Sequence, residues 1–103
     1  MLTSIVERHD SFCTLAVPRG RVQLAAMATA AGVETRTDPA YSWDGMTRGS
    51  TPFVVLQHTL SGEGRLDFEN RSYTLSAGTT MLVRVPHRHR YFLPPGSSWR
   101  FFY

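Results

Sequence analysis

Lysine is missing from this chain: all eleven basic residues are arginine, an absence that reflects base composition more than function. The arginines are scattered, with one local cluster at Arg84, Arg88 and Arg90. There is no run of like charge and no arginine-rich helix. The net charge of +3 therefore points to solvated faces and not to a nucleic-acid surface. Cysteine is nearly missing as well. Cys13 stands alone, which excludes an internal disulfide and is expected to be a buried thiol in a reducing compartment. No apolar run suits a transmembrane helix or a secretory signal, so a cytoplasmic location with no membrane partner is expected. Phosphate-binding loops of the G-x-G-x-x-G or G-x-x-x-x-G-K kind are absent, as are repeats and low-complexity tracts.

What is present is a series of short β runs. A length of 103 residues sets the expectation of one domain. Ser11 to Val17 reads as a short strand ended by Pro18 and Gly20. Val22 to Ala31 reads either as a helix stopped by Gly32 or as a short arm or adapted strand, because its apolar residues are nearly continuous. Thr35 to Ser50 has the chemistry of a loop, with Tyr41 and Trp43 alternating around Ser42 and a turn at Asp44-Gly45. From Pro52 the pattern is regular. Phe53 to Leu60 is a strand with Val54, Leu56, His58 and Leu60 on one face and Phe53, Val55, Gln57 and Thr59 on the other. Ser61-Gly62-Glu63-Gly64 reads as a tight turn. Strands follow at Arg65 to Glu69, Ser72 to Leu75, Thr80 to Val85, His89 to Leu93 and Ser98 to Tyr103. Turns at Asn70-Arg71, Ser76-Ala77-Gly78, Pro86 and Pro94-Pro95-Gly96 separate them. The spacing predicts a sandwich or small barrel. The aromatic last strand needs neighbours on both edges, so the barrel is expected to be incomplete at its C-terminal end.

The segments Tyr41-Ser42-Trp43-Asp44-Gly45, Thr59 to Gly64, Tyr73 to Thr79, Val85 to Tyr91 and Trp99-Arg100-Phe101 follow one another in a recognisable order. Together they resemble the N-terminal effector-binding domain of AraC-type transcriptional regulators. The resemblance implies an all-β, cupin-like small barrel of the jelly-roll (double-stranded β-helix) type at residues 41–103, preceded by an arm with short elements at residues 1–40. It also implies a small organic effector, such as a sugar, bound inside the barrel, and a homodimer in the full-length protein. DNA would be contacted only through a C-terminal helix-turn-helix part that these residues do not contain. On this reading the chain is no enzyme and needs no cofactor.

His89 and Tyr91 are the leading ligand candidates. They lie two apart on a strand, so both side chains share one face, and imidazole and phenol can each donate and accept hydrogen bonds. In the resembled family the arabinose regulator places a His and a Tyr at matching positions. It also carries an arginine before the hairpin glycine, where this chain has Ser61, which argues against arabinose itself. His58 either lines the lumen or is a satisfied wall histidine. Arg84 shares a face with Thr80 and Leu82, and binds a carboxylate or hydroxyl if that face looks inward. His87 and His89 form a His-x-His pair, but no third ligand stands upstream, so no metal is expected. The alternatives are a metal-dependent cupin enzyme of the isomerase or dioxygenase type, or a binding barrel that senses nothing. Asp67 and Glu69 alternate with Leu66 and Phe68 and read as a solvent face, not as an acid–base pair.

Overall fold

The structure is a computed structural model that describes residues 9–14 and 27–103. Among the described residues it is all-β, with eight strands and no helix: β1 (Ser11–Thr14), β2 (Ala30–Arg36), β3 (Ser42–Asp44), β4 (Phe53–Phe68), β5 (Arg71–Ser76), β6 (Thr80–Val85), β7 (His89–Phe92) and β8 (Trp99–Phe102). Every pairing is antiparallel. The long strand β4 organises them. Its residues 53–58 pair with β6 and its residues 58–62 with β8, and its second half lies between β5 and β7. β8 continues outward to β2 and β1, and β7 to β3. One bent strand therefore belongs to two walls, and the core fills the angle between them.

The bend occurs where a tight turn was expected. Ser61 to Gly64 does not close a hairpin; β4 runs straight through it. The register against β8 shifts between Thr59 and Ser61, a bulge at Leu60 that turns the strand and moves its inward face by one residue. Before it Gln57 and Thr59 are buried, and after it Gly64 and Leu66. The glycines serve packing and bending. Gly62 has φ +70°, and a Cβ there would lie 1.9 Å from the Ser98 carbonyl oxygen. A Cβ on Gly64 would lie 2.5 Å from the Trp99 indole. The true hairpin comes at Glu69 and Asn70, both at positive φ, as expected of a two-residue turn that matches strand twist.

Alternation places the core. Met81, Val83 and Val85 point inward from β6, Tyr91 from β7, and Trp99 and Phe101 from β8. All of these but Val85 join Leu66, Leu75 and Leu93 in one apolar cluster. Trp99 is fully buried, and its Nε1–H donates to Thr59 Oγ1 at 2.9 Å, which in turn donates to the Leu75 carbonyl at 3.1 Å. β8 has β2 on one edge and β4 on the other, which satisfies the demand of an aromatic strand for two neighbours.

Two expectations at the N-terminal side change. The helical option for Val22 to Ala31 does not hold where it can be followed. Residues 22–26 lie outside the described residues, Ala30 and Ala31 are strand, and Gly32 sits inside β2 instead of capping a helix. A Cβ on Gly32 would come within 2.6 Å of the Ser11 carbonyl oxygen, so close passage of β1 explains the glycine. Cys13, expected to be buried, is exposed on β1.

Asp10 ties this edge together. Its carboxylate accepts from the Thr35 amide (2.6 Å), the Thr35 hydroxyl (3.1 Å) and Arg100 Nη1 (2.5 Å). Burial acts to raise its pKa, but the Thr35 and Arg100 interactions together outweigh it and hold the carboxyl below its ordinary 3.8. A depressed carboxyl adds stability above its unfolded pKa, and that stability is lost as pH falls through the folded value. Wild type should lose stability on acidification below about pH 4, and Asp10→Asn should flatten that limb in urea denaturation.

Candidate functional site

β7 supports the site because its alternation is strict. His89 and Tyr91 point inward at 5% and 2% exposure, while Arg90 points out. Trp43 pairs with Tyr91 across β3–β7, and Phe68 with His89 across β4–β7. The rings form a ladder. Phe68 stacks on His87 (4.8 Å between centroids), His87 on His89 (5.8 Å) and His89 on Tyr91 (6.2 Å), all within 18° of parallel. Gly45 closes the top. Its N–H donates to the His89 carbonyl, and its own carbonyl accepts from the His87 N–H. A Cβ at Gly45 would lie 2.4 Å from His89 Cε1, so only glycine lets the loop lie against the imidazole.

Arg48 reaches the ladder from the loop after β3. Its Nη1 donates to the Tyr91 hydroxyl at 2.5 Å. The guanidinium lies over Trp43 at 4.3 Å and over Phe53 at 4.9 Å. These contacts hold a planar cation between aromatic faces without neutralising it. Further along, Gln57 is 3% exposed on the inward face of β4. Tyr41 stands near both Gln57 and Tyr91, and burial is the main cause that pushes its phenol above the ordinary value.

Several polar atoms here are buried without a hydrogen-bond partner, both ring nitrogens of His89 and Nδ1 of His87, while the buried Gln57 side chain hydrogen-bonds Tyr41. Leaving one such group unpaired costs about 1–3 kcal/mol, and a native fold keeps few of them. Desolvation by burial, then the neighbouring His87 and Arg48, lower the His89 pKa from 6.5 against an opposing pull from Asp44. The imidazole is therefore neutral, one nitrogen a donor and the other an acceptor. The folded protein resists protonation at His89, so it should lose stability as pH falls below about 6.5, where the unfolded chain takes up the proton. Ring-proton NMR should give a His89 midpoint below 6.5, and a midpoint at or above it would contradict this burial.

The four residues expected to bind ligand are divided between two faces. His89 and Tyr91 share the interior. His58 and Arg84 point from the other face, because alternation that buries Gln57, Thr59, Val83 and Val85 turns their neighbours outward. His58 Nδ1 lies 2.7 Å from Thr80 Oγ1 and its ring stacks on Phe102, and Arg84 is exposed beside Val54 and Leu82. Arg48, Gln57 and Gly45 were not anticipated as site residues. Gln57 had one visible signal, a polar residue on the face of Phe53 and Val55.

Among the described residues no group of three His, Cys, Asp or Glu side chains is arranged to hold a metal ion. His87 and His89 present stacked faces to each other, whereas coordination needs ring-edge lone pairs converging with further donors. An open cleft of about 520 Å³ adjoins the site. It touches His89 and is rimmed by Asp44, Asp67, Glu69, Arg71, Arg88 and Arg90.

Antiparallel walls sharing one bent strand, with polar side chains gathered inside, define a cupin-type binding barrel. The fold is similar to that of a cupin protein from Bacteroides fragilis of known crystal structure, with a TM-score of 0.51 and 13% identity over 86% of this chain and 80% of that one. Residues 31–103 match the family described as the AraC-like ligand binding domain, and the chain belongs to that family. Among curated proteins none matches the chain. Among the described residues no helix is long and apolar enough to cross a membrane.

Proposed function

We propose that this domain senses a small organic effector, a sugar or a molecule of similar size, held inside the barrel against His89, Tyr91, Arg48 and Gln57. The observation that carries the reading is the pair of buried, unpartnered ring nitrogens of His89 beside an arginine held by aromatic rings. A ligand that pairs them recovers the free energy their burial costs. The domain works by binding and not by catalysis, without a cofactor, in the cytoplasm. In the longer regulator it forms a homodimer and relays occupancy to a helix-turn-helix domain that alone touches DNA.

The test is an NMR screen of the labelled domain against sugars, sugar acids, aromatic acids and their neutral analogues. A true effector shifts the amides of Gly45, Arg48, His89 and Tyr91 and raises the melting temperature. Shifts confined to Val54, Leu56, His58, Leu82 and Arg84, on the outer face, would count against the interior site.

A further inference from the structure

We infer that the effector is a small organic monocarboxylate with an apolar body, its carboxylate received by Arg48 and the Tyr91 hydroxyl. The inference rests on the interior site proposed above and names the class of molecule that site takes.

The donors and acceptors lining the site are unequal. Arg48 carries five N–H donors and a permanent charge. One of them goes to the Tyr91 oxygen, and the rest of its contacts are with the rings of Trp43, Phe53 and Tyr91. Among the described residues the ion pairs are Arg36 with Glu34 and Arg100 with Asp10, and no carboxylate reaches Arg48. A half-buried guanidinium favours an anion beside it, and its planar fork matches a carboxylate. Tyr91 adds to this. Its oxygen accepts from Arg48, which leaves its own proton to donate outward to an acceptor. Neutral His89 supplies one further donor. A ligand that is all acceptor at one end satisfies this set. A polyol brings as many donors as acceptors and leaves the arginine charge unanswered.

The other end of the ligand is set by Trp43 and Phe53, which offer ring surface beside the arginine. This suits a planar or aliphatic body and not a second charge.

The experiment uses acid–amide pairs of equal shape, benzoate with benzamide, cinnamate with cinnamamide and hexanoate with hexanamide, alongside glucose and arabinose as neutral hydroxyl probes. Binding is followed by NMR on the wild-type domain, Arg48→Gln, Arg48→Lys and Tyr91→Phe. At least one acid should bind about tenfold or more tightly than its amide, the least a charge-assisted hydrogen bond contributes. Its shifts should centre on Arg48, His89 and Tyr91. Arg48→Gln should erase the preference, Arg48→Lys should restore part of it, and Tyr91→Phe should weaken acid binding in a domain whose ring ladder is kept. Acid and amide binding equally at these residues overturns the carboxylate and leaves the interior sensor standing, as does binding of the sugars alone. Acids that shift only the Arg88 and Arg90 rim also overturn it. Failure of every probe to move the interior overturns both the carboxylate and the sensor reading for molecules of this size.

Discussion

Trp99→Ala should lower the stability of the domain by about 3–5 kcal/mol, the cost of removing a buried indole and leaving a cavity. Against the roughly 5–15 kcal/mol that holds an ordinary domain folded, much of a domain this small would be unfolded. Trp99 is fully buried, lies flat on Gly64, packs edge-on against Tyr41 and tilted on Phe101, and bonds Thr59. Trp99→Phe separates the contributions. It keeps most of the ring and gives up the Nε1–H bond, so about 1–2 kcal/mol is expected. Urea denaturation followed by far-UV circular dichroism measures both, with Trp43→Ala as the partly exposed comparison. If Trp99→Ala shifts the midpoint no further than Trp43→Ala, the indole is not the centre of the fold.

The second large effect is expected at Gly45. Alanine there places a methyl 2.3 Å from the His87 carbonyl oxygen and 2.4 Å from His89 Cε1. The backbone cannot yield easily, because two hydrogen bonds hold Gly45 against His87 and His89. Overpacking of this kind costs about 1–3 kcal/mol. The imidazole is the softer partner and should be displaced toward water, so the His89 NMR midpoint rises toward 6.5 as desolvation weakens. The same displacement breaks the stack with Tyr91, and any effector bound at wild-type His89 should bind about tenfold or more weakly, the counterpart of one lost hydrogen bond. An unchanged His89 midpoint in Gly45→Ala would show that the loop does not press on the ring.

Much of the second half of the fold is legible in the order of residues. Thr80 to Val85 alternates apolar with polar or exposed positions and ends at Pro86, and β6 has those bounds. His89 begins β7 and Trp99 to Phe102 form β8. Glycine was the source of error in two of the places where the reading failed. Gly32 stands inside a strand and Gly62 and Gly64 stand inside a bend, yet the local pattern resembles a cap and a turn. Glycine reports that something comes close or that φ is positive. It does not report which, since the neighbour is Ser11 in one case and Ser98 or Trp99 in the others.

The site divides along the same line. That His89 and Tyr91 share a face follows from their spacing, because a strand repeats every two residues. Which face looks inward does not follow. It depended on the bulge at Leu60 and on strands that pair from far along the chain. For the same reason His58 and Arg84, sound candidates by residue type, came to lie outside. Arg48 meets Tyr91 across 43 positions of sequence, from a loop with no pattern of its own. The all-β character and the His89–Tyr91 pair were thus determined by the sequence alone, since alternation and turn residues act locally. The bent β4, the inward face and the arginine that charges the site were decided by tertiary structure, because each depends on which distant strand or loop packs against which.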